Sequence, residues 1–337
     1  MPGNAPYKPE QATLSVAPES SQASTVTTGS EFRSYGLVQE ATSLPDPSIQ
    51  WIEERVIGGD RRIFQKIDGQ RAYEGGSIPV VPYDGAPLAY LFGTETVNAD
   101  TDVEGNSETG TDTHVLTINS ADLPPTQTIE ASYEGFDSGQ DNFVRTFSGC
   151  AVNSGEISMN NESELQVSLD YIAMDVDTGT TITSTTLSPS DRDPWIFADT
   201  SADLTMFGTS FARVEQFSFS LTNNLEQGRY IQADDPENPF ELTYASAEIE
   251  MSATITVDDD TLYQELIGPT EGGFEGEIEF EKPSGEVLRI TAKDCNFAEA
   301  PHEIPGDDST IQVDVTIIPE DLEVRVEDQQ SAGESYL

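Results

Sequence analysis

Histidine is the side chain most often used to move a proton near neutral pH, and this chain of 337 residues has two, His114 and His302. Neither stands in the spacing of a Ser-His-Asp triad or of a metal-ligand pair. Cys150 and Cys295 are the two cysteines; with no CxxC spacing and no neighbouring His they read as buried thiols, a single disulfide being the other arrangement open to them. The chain contains no GxxxxGK[ST], no GxGxxG after a strand and no GxSxG, so nucleotide and hydrolase chemistry have no foothold. DTDVEGNSETGT, from Asp100, opens like a calcium loop but places Thr111 where a bidentate Glu is required, and DVDTG at Asp175 departs sooner. Paired carboxylates for glycoside hydrolysis are always on offer among 62 acids, yet the aromatic platforms such sites use are limited here to Trp51 and Trp195. The expectation is a protein with no catalytic residue, no cofactor and no dedicated metal site, and not an enzyme.

Charge narrows the class further. Fifteen basic residues face 62 acidic ones, for a formal net charge of −47, and only four of the bases are lysines (Lys8, Lys66, Lys282, Lys293). Such a surface repels nucleic acid and anionic lipid. High Asp and Glu with little Lys, spread over the whole chain, fits a protein that works in molar salt, where repulsion is screened over about 3 Å. MPGNAPYKPEQ has no apolar run after a basic patch, and no segment has the apolar length to span a bilayer. A soluble intracellular product, or something assembled inside a cell, is therefore expected.

The elements that would hold any site are strands. Residues 1–30, rich in Pro, Ser, Thr and Ala, read as an extended N-terminal arm, and 94–113, with acids but no bases, as a long solvated loop. Between and after them a β domain is expected over 31–328, with a tail over 329–337. IPVVPYDGAPLAYLF, residues 78–92, reads as a strand followed by a helical turn. DDDTLYQELIGP is a short helix with capping-box spacing between Thr261 and Gln264 and a Gly268-Pro269 stop. HVLTI, DNFVRTFSGCAV, EISM, ELQVSLDYIAM, TTITSTTL, DLTMF, FSFSLT, ASAEIEMSATITV, EGEIEFE, VLRITA, IQVDVTII and LEVRVED show period-two patterning or β-branched enrichment. The fold class expected is all-β, an antiparallel sandwich or barrel with one or two short helices.

Each long strand has two unlike faces. In ELQVSLDYI, Leu165, Val167, Leu169 and Tyr171 oppose Glu164, Gln166, Ser168 and Asp170; in ASAEIEMSATITV, Ile249, Met251, Ala253 and Ile255 oppose Glu248, Glu250, Ser252 and Thr254. FARVEQFSFSLTNNLEQGRYI alternates Phe217, Phe219, Leu221 with Ser218, Ser220, Thr222 and then stops at Asn223-Asn224. Burying a large apolar side chain is worth about 1.5–3 kcal/mol, so one face of each strand belongs to a core and the other to water.

The order of these runs resembles that of the tail tube proteins of long-tailed, siphovirus-like viruses. YGLVQEAT before a Pro break, EGGSIPVVPYDGAPLAYLFG, FSGCAVNSGEISMNNESELQVSLDYIAMD, the strand into the Asn-Asn-Leu-Glu corner, TLYQELIG and EGEIEFEKPSGEVLRITAKDCNFAEAPHEI are similar to the family's successive segments, covering residues 35–325. The resemblance implies a ring-forming tail tube fold: hexameric rings of the chain itself, stacked into a hollow tube through which the viral DNA leaves the virion without specific binding. Tape measure, tail terminator and tail tip proteins are the implied partners, with assembly in the host cytoplasm and no membrane involved; the composition adds a halophilic archaeal host. Lumen-lining positions are expected at Glu164, Asp170, Glu248 and Glu250. Between Tyr230 and Glu281 fifteen acids and no Lys or Arg occur, which suits a channel that repels phosphate. The alternative is a β-sandwich decoration or surface-binding module of a halophilic virus or cell.

Overall fold

A computed structural model describes residues 6–8, 12–39, 42–54, 65–119, 123–135, 139–184, 193–206, 209–211, 214–231, 237–256, 273–299, 312–328 and 335–337. The helix expected at 258–269 lies outside the described residues. In chain order come β1 (Ala12–Pro18), β2 (Gly36–Val38), β3 (Pro47–Glu54), β4 (Gln65–Pro82) and the helix α1 (Ala86–Phe92). Then follow β5 (Gly93–Asn98), β6 (Asp112–Ile118), β7 (Gln127–Tyr133), β8 (Phe143–Asn160), β9 (Gln166–Ala173) and β10 (Asp175–Gly179). The remaining strands are β11 (Thr200–Met206), β12 (Thr209–Phe211), β13 (Val214–Thr222), β14 (Glu226–Gly228), β15 (Glu241–Thr243), β16 (Glu248–Thr256), β17 (Phe274–Glu281), β18 (Val287–Glu299), β19 (Gln312–Ile318) and β20 (Asp321–Asp328).

The strands pair antiparallel in two large layers. The first runs β3-β4-β9-β8-β13-β16-β19, with β2 on the far end of β4. The second runs β12-β11-β17-β18-β20-β6-β5. A smaller sheet, β1-β7-β8-β10, extends from the first half of β8. The layers form an open sandwich rather than a closed barrel. Two long strands change sheets at residues with left-handed backbone: β8 near Gly149 (φ 62°) and β18 at Asp294 (φ 49°). A Cβ at Gly149 would lie 2.7 Å from the Met174 side chain, so both the dihedral and the close approach require glycine there.

The core lies between the layers. Val167, Ile157, Phe217, Phe219, Met251 and Val315 come from one, and Leu116, Phe280, Leu288, Ile290 and Val324 from the other; the Phe217 and Phe280 rings meet across the interface at 5.9 Å. Helix α1 plugs one end with all seven residues buried, Pro87 in its first turn and Gly93 (φ 80°) as its left-handed stop. The Asn-Asn corner caps this helix from outside: the buried Asn223 amide donates to the Leu91 and Val152 carbonyls at 3.0 and 3.1 Å. Asn224 takes the positive φ (49°) that turns the chain. Cys150 and Cys295 are free and buried, and burial pushes both thiols up, Cys295 to about 11.

Two expectations change. Of the arm expected over 1–30, Ala12–Pro18 is extended but is paired to β7 of its own domain, with Val16 and Ala17 buried. Glu19 then accepts hydrogen bonds from the Thr126 and Thr128 hydroxyls (both 2.8 Å) and the Gly149 amide (3.0 Å), so this stretch is a structural edge, not a free arm. The acidic stretch 94–113 is likewise not all solvated loop. Gly93–Asn98 is a strand, Asp112 and Thr113 are buried in the next, and the turn between them is tied down by Val103, 4% exposed, whose carbonyl accepts from Arg325 at 2.9 Å. Acids that look solvated in sequence are used here as acceptors: Asp112 for the Asp100 amide, Asp100 for Gly110 and Asp102 for Asn106.

Candidate functional site: the open face of the first sheet

Register places the outward side chains of β9, β8, β13, β16 and β19 in cross-strand rows. Asp170, Ser154, Thr222 and Glu248 form one row; Ser168, Glu156, Ser220 and Glu250 the next. Gln166, Ser158, Ser218, Ser252 and Thr316 form a third, and Asn160, Gln216, Thr254 and Asp314 a fourth. Adjacent strands are about 4.8 Å apart, so neighbouring side chains within a row touch. Ser154 Oγ donates to Asp170 Oδ2 at 3.0 Å, Ser218 and Ser252 share a bond at 2.8 Å, and Gln216 Nε2 donates to Thr254 Oγ1, which donates to Asp314 Oδ1, at 2.9 and 2.7 Å. At the far end Glu215 Oε1 accepts from Thr256 and Gln312 at 2.9 and 2.7 Å.

Three of the four acids proposed from the sequence, Asp170, Glu248 and Glu250, fall on this face and are exposed. Glu164 does not share the ladder: β9 begins at Gln166, and Glu164 instead makes an isolated bridge with Ile196 and is partly buried. Its period-two match with Asp170 is real in sequence, but the pairing that would carry it across the sheet has already ended. Two acids missed by the sequence reading, Glu156 and Asp314, belong to the same surface. The alternation of Glu156 with Ile157 in EISM was the available signal. No Lys or Arg occurs in the four rows.

The outward face of the second sheet is built differently. Arg289 pairs with Glu279 and reaches Glu104 at 3.3 Å, while Glu323 takes both Lys293 at 2.5 Å and Arg325 at 2.7 Å. Those two partners hold the Glu323 carboxyl below the usual range despite its partial burial.

A third exposed surface is the ribbon made by β3 and the first half of β4, which among the described strands pair only with each other until β4 meets β9 at Tyr73. Ile49, Trp51, Ile52 and Ile67 stand in solvent there, Trp51 at 51% and Ile52 at 56% exposure. Its root is fixed by the Arg71 amide on the Glu237 carbonyl (2.9 Å), the Arg71–Glu237 ion pair (3.1 Å) and the Tyr73 hydroxyl on Asn238 (2.6 Å).

His114 is buried against Glu95, and Trp195 is fully buried beneath Lys282, whose Nζ lies 3.8 Å from the ring centroid, so the two tryptophans form no joint platform. Among the described residues no group of His, Cys, Asp and Glu is arranged to hold a metal, and no helix is long and apolar enough to cross a membrane. A search of curated proteins finds none that matches. The family model described as phage tail tube protein matches residues 9–323, nearly the whole chain. The chain thus belongs to the phage tail tube protein family and is a structural component of the virion tail.

Proposed function

We propose that the chain closes into hexameric rings that stack into the tube of a long-tailed, siphovirus-like virus of a halophilic archaeal host, with the open face of the first sheet lining the channel for DNA. The observation that carries this reading is that the four described rows of that face contain no Lys or Arg. Salt adaptation raises acid content everywhere, yet the opposite face of the same sandwich keeps Arg289, Lys293 and Arg325. A wall of hydroxyls and carboxylates presents DNA with acceptors and negative charge, so phosphates pass without being held. Asp170, Glu248 and Glu250, with Glu156 and Asp314, are the acids assigned to the wall.

The apolar ribbon supports self-assembly. Its exposed Trp and Ile side chains are the kind that interfaces bury, and five of the fifteen bases of the chain fall between Arg55 and Arg71, opposite in sign to the rest of the subunit. We assign the ribbon to contacts between copies. Tape measure, terminator and tip proteins are the further partners expected at the tube's interior and ends, with assembly in the host cytoplasm.

Negative-stain images of the purified protein in molar salt test the reading. Six-fold rings or tubes with a central channel are expected. A monomer or trimer that binds capsids or glycans would replace it with a decoration module.

A further inference from the structure

One carboxylate in the stretch that reads as solvated loop has an unusual load. Glu95, on the inward side of edge strand β5, has a side chain only 2% exposed and accepts from four groups. Its oxygens take the Tyr336 amide at 2.8 and 3.0 Å, the Leu337 amide at 3.0 Å, the Ser335 hydroxyl at 2.5 Å and His114 Nδ1 at 2.6 Å. Three of those four donors belong to residues 335–337. The Tyr336 ring, 5% exposed, stacks on His114 with centroids 4.1 Å apart, and Leu337 packs against the main core. A Cβ at Gly85 would lie 2.9 Å from the Tyr336 ring, so the seat is fitted to this side chain.

We propose that Ser335–Leu337 form a strap across the mouth of the sandwich, locked to β5 by the ionised carboxylate of Glu95, which opens when that carboxylate takes a proton. A neutral carboxyl presents one O–H and a weakened acceptor where the strap offers three donors, so closure depends on the charge. Among the described residues, the ionisable side chains facing the lock are His114 of β6, Tyr90 of α1, Tyr336 of the strap, and Arg33 before β2, whose guanidinium donates to the Tyr336 carbonyl and lies 6.0 Å from its ring. Protonating His114 keeps its donor and adds charge opposite Glu95, so it favours the closed form. Burial by itself would push the Glu95 carboxyl up, and the His114 and strap donors more than offset it, leaving it below the ordinary range. A carboxyl held down in the closed state stabilises closure above the ordinary carboxylate range, and that contribution is lost as pH falls through its depressed value. Opening uncovers Arg33 and the inward side of β5, the edge of the second sheet, while β20 keeps its ladder.

Amide hydrogen exchange in the intact chain, corrected for the intrinsic effect of pH, reads the strap directly. At neutral pH Glu95→Gln is expected to speed exchange at Tyr336 and Leu337 by about 10-fold or more, with Val324 and Val326 of β20 unchanged. In the unaltered protein, acidification should deprotect Tyr336 and Leu337 before β20, a result that needs no variant to fold. Unchanged protection at both positions in Glu95→Gln would overturn the proposal. So would a fall in strap and β20 protection together at every pH, which would make the segment an ordinary part of the core.

Discussion

The two outer faces of this sandwich are made by the same chain, with the same alternation, yet they handle charge in opposite ways. On the second sheet Arg289 and Lys293 pair with carboxylates on neighbouring strands, and Arg325 pairs with Glu323 two residues away on its own strand. On the first, acids stand among serines and threonines with no cation in the rows. A uniform pressure for acidity would leave both faces alike. On our reading, the total charge answers to molar salt, while the placement of the few bases carries a second requirement, that DNA slide past one face.

The most forceful way to break the contrast is to put cations on the bare face. Replacing Glu156, Glu248 and Glu250 with Lys in every subunit should raise DNA affinity by orders of magnitude at moderate salt, with log K falling by about 0.9 per log unit of salt for each phosphate held. Filter binding across a salt series checks this, and ejection from virions carrying the three lysines should slow or stop. Wild-type ejection would remove these residues from the DNA path.

Trp51→Glu with Ile52→Glu targets the third surface, where contact with another copy, not avoidance, is expected. Loss of a buried interface Trp costs about 2 kcal/mol or more, so tubes should fail to form while the thermal melt of the subunit stays put. Sedimentation and electron microscopy distinguish this from unfolding.

Salt tests the shared acidity of both faces. The melting temperature of the subunit should rise by several degrees between about 0.1 M and molar salt, because the Debye length shrinks from about 10 Å to about 3 Å. An unchanged melt would argue that self-repulsion does not limit the fold.

The finest comparisons are single residues. Arg289→Glu places like charge beside Glu279 and should cost about 1 kcal/mol by denaturant melts, since the broken pairs are partly solvated, and leave DNA affinity untouched. Ser218→Ala removes one half of the Ser218–Ser252 bond on an open face and should stay within about 0.5 kcal/mol.

Much of this was legible in the sequence. Alternation committed Phe217, Phe219, Val167, Met251 and Ile255 to the core because a period of two leaves each strand no other way to bury them. The turn after Gly85, the strand faces of Asp170, Glu248 and Glu250, and the absence of catalytic motifs followed from local chemistry. What sequence could not decide is where a strand stops pairing and which acid meets which donor. Glu164 shares Asp170's parity and Glu95 sits among exposed-looking acids, yet one falls off the end of the ladder and the other is buried under residues more than 200 positions away. Residues 12–18 have the composition of an arm and the environment of a strand, because β7 offers them an edge. Local pattern fixes which face of a residue seeks water; only the long-range register, set by the sum of weak contacts across strands distant in the chain, decides what that face finds.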